Sequence, residues 1–269
     1  ALWYLAGQME MGKVYSEAEI NTLLDEWTVF HDPATLRREL FNHFLLNRTA
    51  DGRQYWRAEE IPSLEAFLTK YECADAIDNP RPIPIRDIAT RLMSLDIIDT
   101  EYLSFDGSVQ GAIAFTKGII EVYDWSAEET IGYEVSHPAI FVDADIMNIG
   151  RFNNTLAHEC FHWWRHRNYF NYKRNHENGT EFAFRCNRHI SNTGSLIGGK
   201  WSDVDKMEWQ AKTIAPKILM PRNAFTKKVD HTYQVLLADN PNAERSIVTQ
   251  YVIDNVADFF EVSRQSAAI

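Results

Sequence analysis

The segment TLAHECFHWWRH, residues 155–166, carries three histidines spaced four apart, with a glutamate directly after the first. No other stretch restricts the fold as tightly. On an α-helix His158 and His162 lie one turn apart and project from the same face, whereas a strand would carry them away from each other. Asn153 and Asn154 precede the segment as N-cap candidates for a helix beginning near Thr155. The segment is consistent with two outcomes: a metal-binding helix, or a buried amphipathic helix whose histidines make ordinary hydrogen bonds.

The chemistry of the first outcome needs these residue types. Imidazole nitrogens from adjacent turns can share one zinc ion at about 2.0–2.1 Å, and neutral ligands leave much of the metal charge available to acidify water. Glu159 is a poor third ligand from the same face but is placed to take a proton from that water, the general-base role in a His-Glu-x-x-His site. His166 stands eight residues beyond His158, about 12 Å of helical rise. One ion does not bridge that span, so His166 is expected behind the ligands or at the surface. Cys160, about 200° around the helix from His158, is expected to be a buried thiol facing away from the metal.

A catalytic zinc takes three protein ligands and leaves one position open. The downstream candidates are His176, Glu177, Glu181, Cys186, His189 and Glu208. Glu208 differs in context, because DVDKMEWQAKTIAPKILMP reads as a second helix whose apolar face is Met207, Ala211, Ile214, Ala215 and Ile218, closed by Pro221. A glutamate in the first turns of a packed second helix can reach back to a first. The stretch between the two helices, with SNTGSLIGGKW at its centre, is loop-rich and open to a role as a lid.

The two motifs together resemble the ImmA/IrrE family of zincin-like metallopeptidases, whose pattern is a His-Glu-x-x-His helix followed by a Glu-x-x-Ala-Asn helix ending in Leu-Met-Pro. The likeness runs over about residues 75–269. It implies His158, His162 and Glu208 as ligands of one zinc ion (Zn2+) and Glu159 as the catalytic base. Leu219, Met220 and Pro221 match the closing tripeptide. Lys212 stands where the family has asparagine. The resemblance further implies a protein substrate, typically a helix-turn-helix repressor cut in response to stress or mobile-element signals. It names no transition-state stabiliser; Arg165, Tyr169 and Lys212 are the candidates.

Before this core, SEAEINTLLDEWTVF offers Ser16 and Glu19 in capping-box spacing, PATLRRELFNHFLL starts at Pro33, and Asp51-Gly52 marks a hairpin. Helix, helix, hairpin is a winged-helix outline, and the wording over about residues 10–57 is similar to a short domain of unknown function from bacterial transcription regulators. NPRPIPI, residues 79–85, reads as a linker. IRDIATRLMSLDI reads as a short helix, and IIEVYDW and HPAIFVDAD read as strands feeding the histidine helix. The tail AERSIVTQYVIDNVADFFEVSRQSAAI is similar to a helix-turn-helix without a basic cluster, better suited to packing on the core than to DNA.

The expected fold is therefore α+β: a mainly helical zincin-like core with a small β-sheet at 73–230, a winged-helix-like module at 1–72 and a helix-turn-helix-like segment at 231–269. The chain has 27 basic and 38 acidic residues and a net charge of −11, which argues against sequence-independent nucleic-acid binding. Direct DNA binding is thus weakly supported, and no apolar run suits a membrane. Cys73, Cys160 and Cys186 form no disulfide framework, as expected in the cytoplasm. The competing class is a transcription-associated binding protein whose zinc is structural or absent.

Overall fold

The computed structural model describes residues 2–10, 13–28, 31–42, 45–49, 51–57, 64–167, 169–170, 183–187, 203–239, 241 and 244–268. The chain divides into two compact units, with the first break between Phe67 and Leu68. His176, Glu177, Glu181, His189 and the SNTGSLIGGKW stretch lie outside the described residues.

The first unit runs α1 (Leu2–Gly7), β1 (Val14–Ser16), α2 (Glu17–Glu26), α3 (Pro33–Asn42), β2 (Leu46–Arg48) and β3 (Gln54–Arg57). Ser16 caps α2 as its spacing predicts. Its hydroxyl accepts from the Glu19 N–H while Glu19 accepts from the Ser16 N–H at 2.7 Å, satisfying two backbone donors that the helix start leaves open. The hairpin β2–β3 forms around Asp51-Gly52. β1, too short to be seen as a strand in the sequence, pairs antiparallel with β3 to complete the sheet order β1-β3-β2. Leu5, Ile20, Leu24, Leu40, Leu46 and Tyr55 form this unit's own core.

α4 (Leu64–Lys70) spans the break between the units. Beyond it the proline-rich stretch belongs to the second unit rather than hanging as a linker. Ile83 and Ile85 are buried, and Arg81 forms two hydrogen bonds to Asp75, at 2.6 and 2.8 Å. The following segment continues from α5 (Ile85–Asp87) as a π-helical turn, Ile88–Leu92.

A four-stranded sheet of order β4-β8-β5-β9 carries the second unit: β4 (Asp96–Ile98), β5 (Val109–Ala114), β8 (Ala139–Val142) and β9 (Ala183–Asn187). β4 and β8 are parallel, and the other pairs are antiparallel. β6 (Gly118–Asp124) and β7 (Glu129–Val135) make a separate hairpin. Central β8 is buried at every position, as a strand covered on both faces must be. Ala112, Ala114, Ala139 and Phe141 pack with Ile120, Val122 and Val135 of the hairpin. Alternation then turns Gly111 to the opposite face, against α6 (Ile149–Arg165).

α6 begins at Ile149, well before the expected start near Thr155. Asn148 is the N-cap, its side chain accepting from the Arg151 N–H at 3.0 Å. Asn153 is instead buried in the helix and donates from Nδ2 to the Glu261 carbonyl at 3.0 Å, a tertiary bond to the tail. Among the described residues, three helices follow α7 (Asp203–Leu219): α8 (Arg222–Asp239), α9 (Arg245–Phe260) and α10 (Arg264–Ala267). The boundary expected at 230/231 falls within continuous α8, and α9 packs on it through Phe225–Phe260 and Thr232–Asn255 contacts. The tail thus belongs to the second unit. No helix among the described residues is long and apolar enough to cross a membrane.

Candidate metal centre

α6 lies on the sheet through Gly111 and runs along α7. A Cβ built on Gly111 would stand 2.5 Å from Thr155 Cγ2 and 2.8 Å from Glu159 Oε1, so glycine lets β5 approach the helix directly beneath the glutamate. At the far end of α6, Phe115 stacks with Trp163 and Phe170. These contacts fix the rotation of the helix about its axis, and with it the direction of the histidines.

His158 Nε2 and His162 Nε2 are 3.0 Å apart. Glu208, from the first turns of α7, brings Oε2 to 3.6 Å from His158 Nε2 and Oε1 to 3.3 Å from His162 Nε2. Four ligands at 2.0–2.1 Å around zinc are separated from one another by about 3.3 Å, the edge of the tetrahedron. The three observed spacings bracket that edge. All three side chains are buried, as is Glu159. His158, Glu159 and His162 form a buried group that could hold a metal ion, their ligand atoms lying within 4.8 Å of one another. The site therefore assembles the residues singled out in the sequence, with Glu208 joining from a distant segment.

Burial, with His158 and Glu208 beside it, sets the electrostatics. Burial and the neighbouring His158 draw His162 down to about 4, although Glu208 opposes the shift, so its imidazole is neutral near pH 7. Burial also pushes Glu208 upward, but hydrogen bonds and charge from His158 and His162 outweigh it and hold the carboxyl below its usual range. Burial first and the Glu208 charge second raise Glu159 well above the usual carboxylate range. Among the described residues, neither Glu159 oxygen has a hydrogen-bond partner. A buried carboxyl without partners is costly, and a divalent cation beside it would reverse that penalty. The donor set thus fits a metal on geometry and on charge.

His166 resolves to the inner of its two expected places. It is buried, and its Nδ1 lies 2.9 Å from His162 Nδ1. Its Nε2 lies 3.0 Å from Gln210 Oε1. Gln210 carries no signal in the sequence, since a glutamine on a helix is ordinarily a solvated residue. Cys160 is fully buried, and burial raises its thiol. Cys73 is likewise a buried free thiol, and of Cys186 only the place in β9 is described. Arg165, Tyr169 and Lys212 are half-buried.

A family model described as "Uncharacterized protein conserved in bacteria (DUF2087)" matches residues 1–57. That span lies within the first unit and excludes every residue of the candidate metal centre. No curated protein matches the chain.

Proposed function

We propose that the second unit is a zinc-dependent endopeptidase. The observation that carries this reading is the meeting of two imidazole Nε2 atoms 3.0 Å apart with a carboxylate from another helix, beside a buried glutamate whose oxygens have no partner among the described residues. His158, His162 and Glu208 would hold the zinc, which supplies Lewis-acid polarisation of a peptide carbonyl and acidifies water. Glu159 takes a proton from the attacking water and returns it to the departing amine. Burial of the cluster strengthens each of these electrostatic effects relative to bulk water.

The resemblance to ImmA/IrrE peptidases suggests a repressor with a helix-turn-helix as substrate, and the cysteine usage suits a cytoplasmic setting. The first unit's order of helix, strand, helix, helix, strand, strand supports a winged-helix-like module, in keeping with a role in transcription regulation.

The test is a purified chain assayed for bound zinc and for cleavage of candidate repressors co-expressed with it. Glu159→Gln is expected to keep the zinc and to lose cleavage. Undiminished cleavage by that variant would end the mechanism. A second reading, a transcription-associated binding protein with a structural zinc, draws on the family match covering the first unit alone. It expects the wild-type chain to hold zinc without cleaving any partner.

A further inference from the structure

We infer that Gln210 and His166 are positioning residues that fix the tautomer of His162, so that its Nε2 reaches the metal position without a hydrogen. The inference rests on the reading of His158, His162 and Glu208 as a metal site. It is carried by two contacts in series: Gln210 Oε1 to His166 Nε2 at 3.0 Å, and His166 Nδ1 to His162 Nδ1 at 2.9 Å.

The hydrogens can be placed by following donors. An amide oxygen only accepts, so His166 Nε2 carries the hydrogen and donates it to Gln210. A neutral imidazole has one N–H, which leaves a lone pair on His166 Nδ1. His162 Nδ1 must then be the donor in the second contact, and His162 Nε2 is left with its lone pair. That nitrogen lies 3.0 Å from His158 Nε2, which can donate to it, and 3.3 Å from Glu208 Oε1, which without a metal favours a hydrogen there and is the group the Gln210 chain works against.

The reverse arrangement is equally self-consistent but excludes a metal. Turning the amide so that its NH2 faces His166 shifts every hydrogen one place along and ends with an N–H at His162 Nε2. Only one direction of the chain is compatible with ligation, and the acceptor at Gln210 selects it. The three side chains are buried, which shields the contacts from competing water, and Phe161 packs edge-on against His166 at 5.4 Å. Partners that hold the second nitrogen of a ligating histidine commonly act this way, and losing one weakens metal affinity about 10–100-fold.

The experiment uses the full chain with 15N-labelled histidine, with Gln210→Leu removing the acceptor, Gln210→Glu retaining it and His166→Phe removing the middle ring. Long-range 1H–15N correlation spectra of metal-free protein report the tautomer directly. His162 is expected as the Nδ1–H form in the wild type and in Gln210→Glu, and as a mixture or the Nε2–H form in Gln210→Leu. Zinc affinity, read by competition with a chelator, should fall about 10–100-fold in Gln210→Leu and His166→Phe and stay near wild type in Gln210→Glu. An Nε2–H form in the wild type, or unchanged tautomer and affinity in Gln210→Leu, overturns the inference. Should His166→Phe fail to fold, the nearly isosteric Gln210→Leu decides alone. His158→Ala separates the two levels. If it leaves zinc binding intact, the metal-site reading falls, while the tautomer spectrum still judges the relay by itself.

Discussion

Glu159 takes its properties from residues far away in the chain: burial comes from the sheet beneath it, and the adjacent negative charge comes from Glu208 on α7. Its raised pKa has a definite sign in metal-free protein. Between the ordinary value of 4.5 and the raised folded value, the folded chain holds a proton that the unfolded chain has released. This contribution therefore adds stability as pH falls through that window and removes it as pH rises. His162 acts in the opposite sense, since between about 4 and 6.5 the unfolded chain binds the extra proton. Metal-free Glu159→Gln retains the histidine contribution without the opposing one. Its melting temperature should accordingly drop more steeply than the wild type's from pH 7 to pH 5, which parallel thermal scans would measure; equal slopes would contradict the assignment. On the proposed endopeptidase reading, Gly111→Ala, which places a methyl 2.5 Å from Thr155 Cγ2 and 2.8 Å from Glu159 Oε1, should lower kcat while leaving zinc content unchanged, as read by metal analysis beside peptide cleavage.

α6 is positioned from both ends. Asn148 caps its start, and Asn148→Ala is expected to cost about 0.5–2 kcal/mol in denaturant unfolding, with Asn148→Ser close to wild type. Gly150 meets the tail in its first turn, where a Cβ would lie 2.1 Å from the Val262 carbonyl carbon and 2.2 Å from Ser263 N. Backbone on the far side has little freedom to retreat, so Gly150→Ala should destabilise the second unit by about 1–3 kcal/mol, the usual cost of overpacking. A stability equal to wild type would show that the tail does not bear on the helix. In the tail, Val248, Val252, Val256, Phe260 and Val262 are all buried, so the segment packs through its apolar residues.

Two units with separate cores make ligand linkage a test of the proposed zinc site. Zinc at about 100 times its Kd should add about 2.7 kcal/mol to the stability of the unit that holds it. Calorimetry of the full chain is expected to show zinc raising the transition of the second unit, with the first unit's transition unmoved and no rise at all in His158→Ala. A shift confined to the first unit would place the metal elsewhere.

The closeness of His158, Glu159 and His162 was legible because helical periodicity makes i and i+4 neighbours whatever the surroundings, and Glu208 was singled out from six candidates by its helix context together with the family resemblance. The capping box at Ser16 and the hairpin at Asp51-Gly52 were legible for the same reason: local hydrogen bonds and backbone geometry act over a few residues. Strands β1, β4, β5 and β7 were not read, since short or alternating segments acquire strand character only from the partners that complete their hydrogen bonds. Asn148 over Asn153 as the cap, the seating of the proline-rich stretch, the inward turn of His166 and the acceptor at Gln210 were decided in three dimensions. Each depends on a contact between segments distant in the chain, and one sequence carries no signal of which segments will meet.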